Sequence, residues 1–211
     1  MRAEKGKKVR AMTITYTVGN GLYVNITNKC TNRCDFCIRN NGDGAYGSDS
    51  LWLEREPTLD EVMTSILAHN LREFSEVVFC GYGEPSERIE DVRAVARKIK
   101  DAYPDMKVRI NTNGQSDLIL GYNSAPLYDV FDEVSISLNA PTAEGYQKIC
   151  HSIYGERAFG AILEFAKNVA EYTKCVKFSV VRESLTESEL GECYKIAESC
   201  GVQLRVRDLI T

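Results

Sequence analysis

Three cysteines within eight residues, Cys30, Cys34 and Cys37, are the densest concentration of metal-binding chemistry in the chain. At C-x3-C-x2-C spacing three thiolates can wrap around one inorganic core. The number matters, because a cluster of four irons held by three thiolates has one iron free to take a substrate or cofactor. The stretch Cys30-Thr31-Asn32-Arg33-Cys34-Asp35-Phe36-Cys37 follows directly on a strand-like run, Leu22 to Thr27. A second stretch, Gly81-Tyr82-Gly83-Glu84-Pro85, follows the apolar run Val77-Val78-Phe79 and Cys80. Glycines at a strand end let backbone groups approach a ligand closely, and the proline stops the strand.

With an aromatic residue just before its third cysteine, the cysteine stretch resembles the radical S-adenosylmethionine (radical SAM) enzymes. The glycine turn is similar to that family's Gly-Gly-Glu-Pro motif, with Tyr82 as an extra residue between the glycines. The run Leu22 to Asn40, taken with the glycine turn, resembles one small subfamily, the TatD-associated radical SAM proteins, named after a neighbouring nuclease-like gene. The resemblance implies two cofactors, a 4Fe-4S cluster on Cys30, Cys34 and Cys37, and SAM. It places Phe36 near the adenine, and Gly81, Gly83 and Glu84 near the amino group. Ser137 and Asn139 would face the ribose, and Arg182 would pair with the SAM carboxylate, for which a guanidinium fork is well shaped. The reaction implied is one-electron cleavage of SAM to methionine and a 5′-deoxyadenosyl radical that takes a hydrogen atom from a substrate. The partners implied are an electron donor such as flavodoxin or ferredoxin, an unidentified substrate of the small-molecule or nucleotide class, and a functional link to a TatD-family nuclease.

These residues need a frame to converge. Residues 12 to 18 and 22 to 27 read as two strands joined by a tight turn at Gly19-Asn20-Gly21, the first an antiparallel addition to the second. Strand patterns recur at 76–80, 107–112, 133–138, 176–181 and 202–206, with helical apolar faces between most of them. Pro57-Thr58-Leu59-Asp60-Glu61 and Thr186-Glu187-Ser188-Glu189 carry the capping-box pattern of a helix start. The first opens a face of Leu59, Val62, Met63, Ile66 and Leu67; Gly121 and Pro126 discourage a long helix between the strands at 107 and 133. The stretch after the fourth β/α strand, with Cys150 and His151, reads as a loop. The fold expected is α/β, a partial (β/α)6 TIM-like barrel with an N-terminal β-hairpin strand. Six units need about three quarters of the roughly 250 residues of an eight-unit barrel, which nearly fills 211 residues. The division expected is a basic tail at 1–11, read as solvated, and a single domain at 12–211. Polar residues end successive strands: Cys30, Gly81 to Pro85, Asn113, Ser137 with Asn139, and Arg182. Ends of parallel barrel strands converge on one face, and Asn111 and Asn113 alternate to the same side as Arg109. Each of these residues also has an alternative reading as a turn or cap former.

A net charge of −4 argues against an extended basic surface for nonspecific nucleic-acid binding. No apolar run of membrane-spanning length and no signal pattern is present, so no membrane partner is expected. Eight cysteines without a secretory signal point to the reducing cytoplasm and not to a disulfide framework. Cys193 and Cys200 fall on an apolar helical face and Cys175 begins a strand, so these read as packing residues. Cys80, beside the glycine turn, and Cys150, beside His151, are the candidate hydrogen donors to a product radical. Two rivals are a structural zinc site built from three close cysteines and a distant fourth, and an electron-transfer or scaffold role. Within radical SAM chemistry the alternative is a glycyl-radical-type activating enzyme acting on a partner protein.

Overall fold

Seven strands form one sheet in strictly sequential order. They are β1 (Thr15–Val18), β2 (Gly21–Val24), β3 (Glu76–Phe79), β4 (Lys107–Thr112), β5 (Glu133–Ser137), β6 (Val176–Val181) and β7 (Gln203–Arg207). The computed structural model describes residues 8–209, so most of the basic N-terminal stretch lies outside the described residues. β1 and β2 are antiparallel across the turn at Gly19-Asn20, with Val18 opposite Gly21 and Gly19 at φ +55°. Every later pair is parallel. The expected hairpin plus six parallel strands is therefore the architecture found, with the last strand shifted one residue along.

Six helices fill the crossovers: α1 (Leu59–Leu67), α2 (Ile89–Ala102), α3 (Ser116–Leu120), α4 (Ala143–Cys150), α5 (Arg157–Val169) and α6 (Glu187–Ser199). Both capping boxes form, Thr58 with Glu61 and Thr186 with Glu189, each satisfying two backbone N–H groups at a helix start. The buried helical faces are Val62 and Ile66 on α1, Ile89, Val92, Val95, Ala96 and Ile99 on α2, and Ile162, Phe165, Ala166 and Val169 on α5. Leu67 departs from the expected α1 stripe and is exposed. Helix α4 was expected as loop: Thr142 caps it by accepting from the Gly145 N–H, and His151 ends it in a left-handed conformation. The expectation failed because this eight-residue helix contains Gly145, which lowers helix propensity.

Apolar side chains of the strands face the helices: Leu22, Val77, Phe79, Val108, Ile110, Val134, Ile136, Phe178 and Val180 are all fully buried in one cluster with them. The alternate positions face the other way and are mostly polar, Val78 and Val181 being the apolar exceptions. Glu76, Lys107 and Arg109, Glu133, and Lys177 are joined there by ion pairs across four strands. Barrel interiors are ordinarily filled by bulky branched side chains. Here the concave side carries these ion pairs and a cavity of mixed polar and apolar lining, into which Arg109 reaches. No helix among the described residues is long and apolar enough to cross a membrane.

Candidate active site

The cysteine loop starts just past the end of β2 and is pinned from behind. The Arg33 and Asp35 N–H groups donate to the carbonyls of Cys150 (2.9 Å) and Ile149 (3.0 Å) at the end of α4, and Ile153 N–H donates to Thr31 O (2.9 Å). Asn32 Nδ2 donates to Tyr146 Oη at 2.8 Å, and Asn113 Nδ2 to Thr31 Oγ1 at 2.8 Å. A non-helical loop can stay ordered when its backbone groups are paired in this way. The missed helix thus has a plain task, which is to set the height of the cysteines over the sheet.

Cys30, Cys34 and Cys37 all line one cavity of about 360 Å³ on the concave side of the sheet. Burial, then Glu84, pushes the Cys30 thiol up to about 12. Cys34 is pushed up by its hydrogen bond with Cys150 and by burial. Such thiols are held neutral until a metal displaces their protons. Among the described residues, no three His, Cys, Asp or Glu side chains converge as they would on a single metal ion. Cys80 also lines the cavity, with burial raising its pKa against a bond from Asn111 that lowers it. Cys150 does not line it: it ends α4, fully buried, with Asn139 Nδ2 at 3.5 Å from its sulfur. His151 likewise stands outside the lining and pairs with Asp35 Oδ1 at 2.8 Å.

The glycine turn packs hard against the base of the cysteine loop. A Cβ on Gly83 would lie 2.2 Å from Thr27 O and 2.7 Å from Lys29 O, and one on Gly81 would lie 2.2 Å from Asn25 Oδ1. Only a residue without a side chain fits these approaches. Tyr82, the extra residue, points away from the glycines' contacts; its hydroxyl donates to Gly42 O (2.9 Å) or Gly44 O (3.0 Å) and its ring meets Trp52 edge-on. It fastens the glycine-rich segment 42–47 beside the site. Glu84 is buried, and its carboxylate accepts from Thr112 Oγ1 (2.7 Å), Ser86 N (3.0 Å), Ser86 Oγ (2.7 Å) and Asn113 N (2.7 Å).

Of the other residues singled out in the sequence, Phe36, Gly81, Glu84, Asn111, Asn113, Ser137 and Asn139 line the same cavity. Gly83 stands in the turn behind it. Asn139 takes φ +58°, and its Oδ1 is buried with no hydrogen-bond partner among the described residues. Arg182 is not brought in: it begins the turn after β6 and its guanidinium bonds Glu187 at the surface. Tyr16, Tyr23, Tyr46, Ser135, Ser179, Arg205 and Arg207 line the cavity without having been singled out. The alternation of β7, with Gln203, Arg205 and Arg207 on one side of Leu204 and Val206, was the available signal for the two arginines.

The Radical SAM superfamily model matches residues 24–197. The chain belongs to the radical SAM superfamily. Radical SAM proteins are enzymes, and the cofactors of this radical SAM chain are an iron–sulfur cluster and SAM. Solved structures with this fold include Streptococcus suis SuiB bound to precursor peptide SuiA, at 16% identity and TM-score 0.65, covering 90% of this chain and 39% of that one. A radical SAM methyltransferase from Sphaerobacter thermophilus matches at 15% identity and TM-score 0.57, covering 92% of this chain and 68% of that one. The FeFe-hydrogenase maturase HydG from Carboxydothermus hydrogenoformans matches at 14% identity and TM-score 0.60, covering 90% and 44%. The chain thus spans about two fifths of the length of SuiB and of HydG. No curated protein matches it.

Proposed function

We propose that this radical SAM protein binds a 4Fe-4S cluster through Cys30, Cys34 and Cys37 and uses SAM to abstract a hydrogen atom from a substrate, as a member of the TatD-associated subfamily. The observation that carries the reading is that all three thiols line one cavity of about 360 Å³ together with Gly81, Glu84, Asn113, Ser137 and Asn139 from the strand ends. The donor set suits the cluster: three soft thiolates bind iron–sulfur cores, leaving one iron open. When bound, these cofactors supply one-electron cleavage of the SAM C5′–S bond, giving methionine and a 5′-deoxyadenosyl radical that takes a hydrogen atom from the substrate.

The chain's own residues bind and orient. The close packing of Gly81 and Gly83 fixes the backbone of the turn, which is the natural seat for the SAM amino group. Glu84 holds that turn to the end of β4 and leaves Asn113 correctly placed. Ser137 and Asn139 would face the ribose, and Phe36 would lie near the adenine. Asn111 lies between Arg109 and Cys80 on the wall below. Arg182 would have to leave Glu187 to reach a SAM carboxylate, so that role is not assigned to it. Eight free cysteines fit a cytoplasmic location, with flavodoxin or ferredoxin as electron donor and a TatD-family nuclease as a functional neighbour. A small molecule or nucleotide suits the volume of the cavity.

The test is anaerobic reconstitution with iron and sulfide, addition of SAM and a strong reductant, and quantification of 5′-deoxyadenosine in wild type and Cys34→Ala. Product from the wild type alone supports the reading. A protein that holds one zinc and no iron overturns it.

A further inference from the structure

The charged side chains lining the cavity are Glu84, Arg109, Arg205, Arg207 and Asp208. Two of these are already satisfied. Glu84 accepts four hydrogen bonds, and Arg109 makes a two-pronged pair with Glu76 (Nε–Oε2 3.0 Å, Nη2–Oε1 2.7 Å) while donating to Asn111 Oδ1 at 2.7 Å. Arg205 and Arg207 differ, making no hydrogen bond or ion pair among the described residues. Arg207 is half-buried over the Phe36 ring, 5.9 Å from its centroid, and burial lowers its pKa. A guanidinium that loses water without gaining a carboxylate bears a cost that a bound anion would offset.

The neighbouring strands are shaped to admit such an anion. Arg205 lies opposite Ser179 on β6, and Ser179 opposite Ser137 on β5, so the wall beside the arginine is a row of short hydroxyl side chains. Ser135 continues it one position deeper. Small hydroxyls next to paired arginines leave room for a tetrahedral or planar anion and supply further donors to it. Asp208, next in the chain, makes no ion pair with either among the described residues.

We propose that Arg205 and Arg207, with Ser179, form an anion subsite that holds a phosphate or carboxylate group of the substrate. The proposal rests on the radical SAM reading above for the identity of the cavity, and it deepens that reading by naming the substrate as an anion. SAM itself carries a carboxylate, so the test separates the two sources.

The probe is inorganic phosphate, titrated by equilibrium dialysis in chloride buffer into anaerobically reconstituted holoprotein, with and without saturating SAM. The expected result is saturable phosphate binding in both conditions. It is weakened about tenfold or more in the Arg205→Ala/Arg207→Ala protein, as expected for losing charge-assisted bonds, and unchanged in Arg182→Ala. The Arg205→Lys/Arg207→Lys protein keeps the charge and recovers part of the binding, which guards against a folding defect in the alanine variant. Absence of saturable binding, or equal binding in the double alanine protein, overturns the proposal. Binding that SAM abolishes also overturns it and gives the arginines to the SAM carboxylate. Failure of SAM to bind at all, with phosphate binding intact, removes the radical SAM reading of the cavity and leaves the anion subsite standing.

Discussion

The Glu84 carboxylate accepts a hydrogen bond from the Asn113 backbone N–H at 2.7 Å, locking the turn after β3 to the end of β4. With Thr112 and Ser86 it gathers only donors, so an ionised carboxylate is the group that satisfies all of them. Burial works against that charge and raises its pKa. Glu84→Ala strands four buried donors, and we expect a loss of about 2–4 kcal/mol in urea unfolding. SAM affinity measured by dialysis falls in parallel, because the turn that seats the amino group is released. Glu84→Gln should cost less, since its carbonyl oxygen can still accept from Thr112 and Ser86 and only the Asn113 N–H is left facing an amide NH2.

The ligand set is testable by analysis of iron. Cys30→Ala, Cys34→Ala and Cys37→Ala each lose the cluster absorbance and the bulk of bound iron and sulfide. Cys80→Ser, on the wall of the same cavity, retains about four irons per chain. A Cys80 variant without iron would make it a ligand and close the cluster to SAM.

Cys150 supports the cluster loop from behind. Cys150→Ala keeps its iron and loses about 1 kcal/mol of stability by chemical denaturation, the cost of a small buried void. If it loses the iron as well, the sulfur has a role beyond packing against Cys34 and Asn139.

Gly83→Ala is expected to be more harmful than its size implies. The added methyl meets backbone carbonyls of Thr27 and Lys29, which cannot step aside without moving the cysteine loop. Both SAM binding and iron content should fall, read by dialysis and iron assay, while Gly191→Ala on the open face of α6, with nothing near its Cβ, leaves both unchanged.

The ion-pair network on the concave side of the sheet predicts a pH dependence. Burial opposes ionisation of Glu133, but bonds from Lys107 and Lys177, each 3.0 Å, win and hold its pKa below the ordinary carboxylate value. A carboxyl lowered in the folded state adds stability that is complete above its unfolded pKa of about 4.3 and fades as pH falls through its folded pKa. Glu133→Gln should therefore cost about 1–2 kcal/mol at pH 7. The gap from wild type, followed by thermal unfolding across pH, should close below about pH 4.

Local chemistry made much of this legible in the sequence. Two Thr-x-x-Glu patterns announced α1 and α6, apolar runs marked the strands, and polar residues at strand ends marked the face where the cavity opens. Three things were hidden, each for a physical reason. Helix α4 is short and contains a glycine, so its formation depends on packing against the cysteine loop and not on propensity. Arg182 follows the last residue of β6, where strand alternation no longer fixes direction, and the turn carries it out to Glu187. Arg205 and Arg207 sit within a strand, where alternation sets them on one side together, but Gln203 on the same side makes that side look like an ordinary solvated face.

β7 is hydrogen-bonded to β6 alone, whereas the opposite edge of the parallel sheet is reinforced by the antiparallel strand β1. An edge strand opens at lower free energy than the strands it joins, and its amides exchange with solvent sooner. The two arginines therefore ride on the least protected wall of the barrel, and whatever settles against them slows the exchange of that strand first.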